Sequence, residues 1–189
     1  MKIFPTSLPG VYVLEPRLFK DERGYFVETF NKKIFEMLGI EGDFIQDNQS
    51  LSIAEGTIRG LHFQTNPEAQ TKIVRCVSGS IYDVAVDIRK SSPTYGQWVG
   101  VELSAENGHQ LVVPIGFAHG FCTLEPNTIV SYKVDNYYSP EHDDGIAFDD
   151  PDLGVKWPTN HPILSEKDKN LPRLKDSTHN FIYGGNVDE

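Results

Sequence analysis

Two short blocks of this chain set histidines where an imidazole could do work. Gly56 is followed six residues later by His62, within Arg59-Gly60-Leu61-His62-Phe63-Gln64. Gly108, Pro114, Gly116 and His119 recur at the spacing Gly-x5-Pro-x-Gly-x2-His. A neutral imidazole titrates close to physiological pH, so a well-placed one can take a proton and return it. Tyr132, in Ile129-Val130-Ser131-Tyr132-Lys133-Val134, offers a phenol suited to proton donation from the side opposite such a base. Asp168 offers a carboxylate that could orient His62 and stabilise its charged form. Arg59 and Lys72 are candidate cations for an anionic ligand.

Each residue also has a plainer reading. A histidine on a strand is often just hydrogen-bonded, and a half-buried tyrosine is often a core ring whose hydroxyl finds a partner. Ser165-Glu166-Lys167-Asp168 reads as a capping-box-like helix start. Arg59 has strand parity opposite to His62, so a shared pocket requires a bulge or twist, which Gly60 permits. Arg23 reads by itself as a turn residue, and Gln46 to Ser50 as an ordinary polar turn. His119 could also ligate a metal with His62 and Glu68, in a two-histidine-one-carboxylate set. Gln64 is a poor ligand, however, and Pro67-Glu68-Ala69-Gln70 reads as a polar loop, so no metal is expected.

The elements that must carry these groups are strands. Period-two alternation dominates from about residue 57 to 135. In Ile81 to Ile88, Tyr82, Val84, Val86 and Ile88 share one face, and Asp83, Ala85 and Asp87 the other. Strands are predicted at Lys72–Val77, Ile81–Ile88, Gln97–Leu103, Gln110–Val113, Gly120–Leu124 and Ile129–Val134. Ser78-Gly79-Ser80 reads as the turn of a hairpin joining the first two. Asn31 can cap a short helix carrying Ile34, Phe35 and Leu38, with Gly39 as its stop, and a second short helix is predicted at Ser165. From Pro151 on, prolines break the pattern and the chain reads as loops wrapping a barrel. The expected architecture is all-β: an antiparallel sandwich or jelly roll, in a single domain over 1–189.

A formal charge of −10 over 189 residues argues against general nucleic-acid binding, which needs a basic face. A few cations gathered in a cleft can still hold one phosphorylated ligand. Residues 1–5 do not form a signal peptide, because the apolar run is short and Pro5 interrupts it. No apolar run reaches the ~20 residues that span a bilayer. Cys76 and Cys122 lack metal or redox spacing and read as buried free thiols of a cytoplasmic protein.

The second block resembles the second motif of the cupins, and the first resembles the opening of their first motif. Gln64 stands where that motif would place a metal-binding histidine. The resemblance implies a cupin-type jelly-roll barrel with a partly dismantled metal cage, which frees a pocket histidine to act as a base.

A closer resemblance covers residues ~1–175. It is carried in order and at matching spacing by Asp21 to Phe26, Gln46-Asp47-Asn48, Arg59 to Gln64, Lys72 to Arg75 and Asp83 to Arg89. Ser92 to Trp98, Leu103 to Asn107, Pro114 to Phe121, Asp149 to Asp152 and Leu164 to Asp168 extend it. These segments resemble the dTDP-4-dehydrorhamnose 3,5-epimerases. The resemblance implies a cofactor-independent enzyme converting dTDP-4-dehydro-6-deoxy-D-glucose to dTDP-4-dehydro-β-L-rhamnose. It places the base on His62, the partner carboxylate on Asp168 and the proton-donating phenol on Tyr132. It places ligand contacts on Arg23, Phe26, Glu28, Gln46, Asn48, Arg59, Lys72, His119, Tyr138, Asp143 and Lys167. It also implies a homodimer in which the N-terminal strand region (1–50) packs on the partner, with Arg23 and Glu28 acting across the dimer. Asp143 departs from the glutamate common in the family, and the shorter side chain bears on whether the nucleotide is touched directly. The rivals are a single-carbon epimerase or 3,4-ketoisomerase on a related sugar, a metal-dependent cupin, and a non-catalytic sugar-nucleotide-binding cupin.

Overall fold

A computed structural model describes residues 1–184. Its strands are, in chain order, β1 (Lys2–Pro5), β2 (Tyr12–Glu15), β3 (Leu18–Asp21), β4 (Gly24–Val27), β5 (Gln46–Ser52), β6 (Ile58–Gln64) and β7 (Lys72–Ser78). There follow β8 (Ser80–Asp87), β9 (Trp98–Ser104), β10 (Gln110–Val113), β11 (Phe117–Thr123), β12 (Thr128–Val134) and β13 (Asp143–Gly145). One sheet runs β1-β2-β10-β7-β12-β5 and the other β13-β6-β11-β8-β9, while β3 and β4 form a separate hairpin. Every pairing between named strands is antiparallel. This is the expected cupin-type jelly roll.

The period-two pattern sorts side chains as alternation demands. Ile81 and Ala85 face inward with Val74, Cys76, Leu111, Phe117, Phe121 and Val130, forming the core between the sheets. Val84, Val86 and Ile88 face outward with Leu61, Phe63 and Ala118, and Ile146, Leu153, Leu174 and Phe181 cover them. The C-terminal loops therefore lie over the outer face of the five-stranded sheet. Residues 185–189 of the 151–189 segment lie outside the described residues. A third cluster packs α1 (Lys32–Met37) and its Phe35 onto Leu14, Ile73 and Val112 of the six-stranded sheet. Asn31 caps α1 by accepting from the Ile34 N–H, and Gly39 ends it at φ +77°, as the sequence predicts.

The expected β7–β8 hairpin does not form. β7 pairs with β10 and β12, and β8 with β11 and β9, so Ser78-Gly79-Ser80 carries the chain from one sheet to the other. The physical reason is a corner. Gly79 has φ +76°, and a Cβ there would lie 2.4 Å from the Thr128 hydroxyl. The inward residues of β7 and β8 then meet across the core instead of side by side. A second difference is smaller. β11 begins at Phe117, directly after the Gly116 turn, so His119 lies on a strand and not ahead of one. Its neighbour across β6 is His62.

Candidate active site

β6, β11, β12, β5 and the short helix α2 (Glu166–Lys169) converge on a cavity open to solvent. One lobe, of about 450 Å³, is lined by Arg59, His62, Lys72, His119, Tyr132 and Asp168 among others. An adjoining lobe, of about 300 Å³, shares His62, Lys72, Tyr132 and Lys167 and adds Gln46, Asn48, Tyr138 and Asp143. Volumes of this size suit a ligand of nucleotide-sugar scale.

His62 Nε2 and Asp168 Oδ1 are 2.6 Å apart. The imidazole remains 29% exposed toward the cavity while the carboxylate is only 4% exposed. Asp168 makes two contacts: its backbone N–H donates to Ser165 Oγ at the start of α2, and its side chain meets His62 Nε2. Burial pushes the Asp168 pKa up. The hydrogen bond and charge of His62, with Ser165 and the Gly60 N–H, outweigh burial and hold it below the ordinary carboxylate value. Asp168 is therefore an anion at neutral pH, suited to stabilise an imidazolium.

Tyr132 lines both lobes from β12. Burial raises its pKa, with the nearby Arg59 cation opposing and Asp143 and Tyr138 adding to the rise. It stays a protonated phenol, which is the form a proton donor needs. Lys72 is almost fully buried, and its Nζ donates to the His62 carbonyl at 3.2 Å. Burial pulls its pKa down to about 8, against the opposing pull of Asp143 and Asp83.

Arg59 reaches the same cavity as His62 despite its parity. From the His62–His119 pair to the Arg59–Phe121 pair, β6 advances three residues and β11 only two, so β6 is bulged. Gly60, at φ +126°, makes the bulge feasible, since a Cβ there would sit 2.6 Å from the Gly120 Cα. Arg59 is fixed by hydrogen bonds to Ser52 Oγ and the Leu51 carbonyl.

Gln64 has taken a structural task. Its amide donates to the carbonyls of Glu68 and Tyr137 and accepts from the Ser139 N–H, pinning two loops at the cavity rim. Among the described residues, no three His, Cys, Asp or Glu side chains converge as a metal cage requires. His119 gives Nε2 to Asp83 Oδ1 at 2.7 Å. Asp83 was not singled out as a site residue from the sequence. The available signal was a carboxylate on the inward face of β8 between the apolar Ile81 and Ala85.

In the second lobe, Asp143 Oδ2 accepts from the Tyr138 hydroxyl at 2.9 Å and from Lys167 Nζ at 2.5 Å. Gln46 donates to Asn48 Oδ1 and accepts from the Tyr138 N–H. Arg23 and Phe26 are not brought to this cavity. They sit on the β3–β4 hairpin, with Arg23 paired to Asp21 and 90% exposed, and Phe26 70% exposed. Glu28 follows the hairpin and is also absent from the lining.

The architecture and the cavity can be set beside known proteins. The family model described as dTDP-4-dehydrorhamnose 3,5-epimerase matches residues 5–176. The dTDP-4-dehydrorhamnose 3,5-epimerase of Shigella flexneri is 50% identical over 180 residues, 95% of this chain and 99% of that protein. A crystal structure of the Bacillus anthracis enzyme of that name, with TDP and PPi bound, is 57% identical. It covers 91% of this chain and 98% of its own, at a TM-score of 0.89. The Legionella pneumophila epimerase, solved with dTDP-4-keto-L-rhamnose, is 44% identical over 92% of this chain and 93% of its own, at a TM-score of 0.89. Identity at this level over nearly the whole length of both partners leaves one assignment, and the chain belongs to the dTDP-4-dehydrorhamnose 3,5-epimerase family.

Proposed function

We propose that this protein epimerises C3 and C5 of dTDP-4-dehydro-6-deoxy-D-glucose, giving dTDP-4-dehydro-β-L-rhamnose. The observation that carries the reading is the His62–Asp168 pair at 2.6 Å in a cavity that Tyr132 also lines. The substrate's C4 ketone acidifies the neighbouring C–H bonds. His62 takes the C5 proton, and the C–H electron pair passes into an enolate with its charge on O4. Lys72 and His119, which line the same lobe, would hold that charge. Tyr132 then donates its hydroxyl proton to the opposite face, inverting C5, and solvent restores both groups. C3 follows by the same cycle. The ketone is the electron sink, so the chemistry calls for no metal or nicotinamide.

The second lobe takes the nucleotide, with Gln46, Asn48, Tyr138 and Asp143 on its walls and Lys167 and Arg59 near the diphosphate. Arg23, Phe26 and Glu28 belong to a different pocket, that of a second subunit. Among the described residues, the strands of the hairpin Leu18–Val27 pair only with each other, and they expose Phe19, Tyr25 and Phe26, which favours a homodimer exchanging this hairpin. We place the enzyme in the cytoplasm as a single domain. Cys76 and Cys122, buried and unpaired, suit that reducing setting.

The test is solvent exchange. Wild-type protein and the sugar nucleotide in heavy water should give a product deuterated at both C3 and C5. His62→Ala should show no exchange while keeping its fold. Tyr132→Phe should exchange protons but return them to the original face. Deuterium at one carbon only would make this a single-carbon epimerase, and a product with its ketone moved to C3 would make it a ketoisomerase. Binding without exchange would leave a non-catalytic sugar-nucleotide binder.

A further inference from the structure

Asp83 is a buried carboxylate that the proton transfers above do not use. It lies on the inward face of β8, fully shielded from solvent, with Oδ1 2.7 Å from His119 Nε2. Its other oxygen, Oδ2, is buried and has no hydrogen-bond partner among the described residues. A buried carboxylate is stable only beside compensating charge or donors, and one imidazole N–H is a thin supply. His119, in turn, lines the lobe that holds His62 and Lys72. With Nε2 committed to Asp83, Nδ1 is the ring nitrogen left for a ligand. The site thus holds two carboxylate–imidazole pairs whose imidazoles lie on the adjacent strands β6 and β11. In the His62 pair the ring is more exposed, and in the His119 pair both members are buried.

We propose that Asp83 is a positioning residue for the epimerisation, holding a proton on His119 Nε2 and placing negative charge behind the ring. His119 Nδ1 can then carry a second proton and donate it as a hydrogen bond to the oxyanion that develops at O4. The unpaired Oδ2 adds to this by drawing cationic charge into the cavity. Asp83 is one of the two carboxylates whose fields oppose the loss of the Lys72 proton. Asp83 never meets the sugar. It acts through His119 and, at longer range, through Lys72. The inference rests on the enolate reading above.

Asp83→Asn keeps an oxygen able to accept from Nε2–H and removes only the charge. If the proposal holds, kcat falls about 10- to 100-fold, the loss typical of an outer-sphere partner, while affinity for dTDP stays within about twofold. In a His119→Asn background the same substitution should cost nothing further. Ring ¹⁵N shifts of the wild-type dTDP complex should show His119 protonated on Nε2. An unprotonated Nε2 overturns the proposal even if the variant does not fold. So does an unchanged kcat in a folded variant, or a loss of dTDP affinity in step with kcat. A wild-type enzyme that exchanges no deuterium would sink the enolate reading instead, which keeps the two failures apart.

Discussion

His62 and Asp168 stand 106 residues apart in the chain and 2.6 Å apart in the fold, joined because α2 begins where β6 passes the barrel mouth. The helix cap fixes the Asp168 backbone and the cavity fixes the imidazole, so neither side chain has to be ordered by the substrate. Asp168→Asn keeps the shape and removes the charge. Turnover should fall by on the order of 10²–10⁴, the range of a fully effective positioned base, with dTDP affinity unchanged. The same variant has a stability signature. The folded Asp168 pKa lies below its unfolded value, so its contribution is fully present above the unfolded value and disappears as pH falls through the folded one. Urea titrations should therefore show a wild-type advantage over Asp168→Asn at pH 7 that closes under strong acid. A constant gap would mean that shape, not charge, was lost.

Lys72 sets a second pH dependence. With its pKa at about 8, the ammonium is present below that pH and lost above it. The free-enzyme profile of kcat/KM should fall on the alkaline side near pH 8. Lys72→Arg, whose guanidinium stays charged, should move that limb upward even if the maximum rate drops. Stability runs the other way. Between about pH 8 and the ordinary lysine value the unfolded chain binds more protons than the folded one. This residue therefore makes the fold gain stability as pH rises through that window, and Lys72→Met should remove the gain. An alkaline limb unmoved in Lys72→Arg would assign it to another group.

Gly60 shows how a site residue can depend on a missing side chain. An added Cβ would lie 2.6 Å from the Gly120 Cα and 2.7 Å from the His119 carbonyl, at a φ of +126°. Backbone atoms cannot move aside as a flexible side chain can. Gly60→Ala should cost roughly 2–4 kcal/mol by denaturant melt, from combined strain and overpacking. Because Arg59 reaches the cavity only through the bulge, KM should rise as well. A variant with full stability would show that β6 holds its bulge without glycine.

Much of this site was legible because strands alternate. The parity of β6 put His62 and Gln64 on one side, and that of β12 put Tyr132 with Val130 and Val134. The Arg59 conflict was itself informative, since it demanded the bulge that the register between β6 and β11 displays. What stayed hidden was long-range pairing. Ser78-Gly79-Ser80 has hairpin chemistry, and only the competition of β10 and β12 for β7 turns it into a corner between sheets. Asp83 was visible as an inward carboxylate, yet its partner depends on β11 lying beside β8. Arg23, Phe26 and Glu28 line neither lobe of this cavity, so strand periodicity could not place them there.

Asp143, where the family commonly has glutamate, allows a test of what the shorter side chain does for the nucleotide. Its carboxylate bridges Tyr138 and Lys167, tying the loop after β12 to the helix that carries Asp168. Both donors sit on Oδ2 and hold a side chain one methylene shorter than glutamate, and its effect on the nucleotide should run through these two partners. A double-mutant cycle separates the alternatives. Asp143→Ala and Tyr138→Phe should each weaken dTDP binding by a few-fold in calorimetry, and the double variant should be little worse than either. The same non-additivity should hold for Asp143→Ala with Lys167→Met. Strict additivity with both partners would mean that Asp143 touches the nucleotide itself, and that the shorter side chain is no obstacle to the contact.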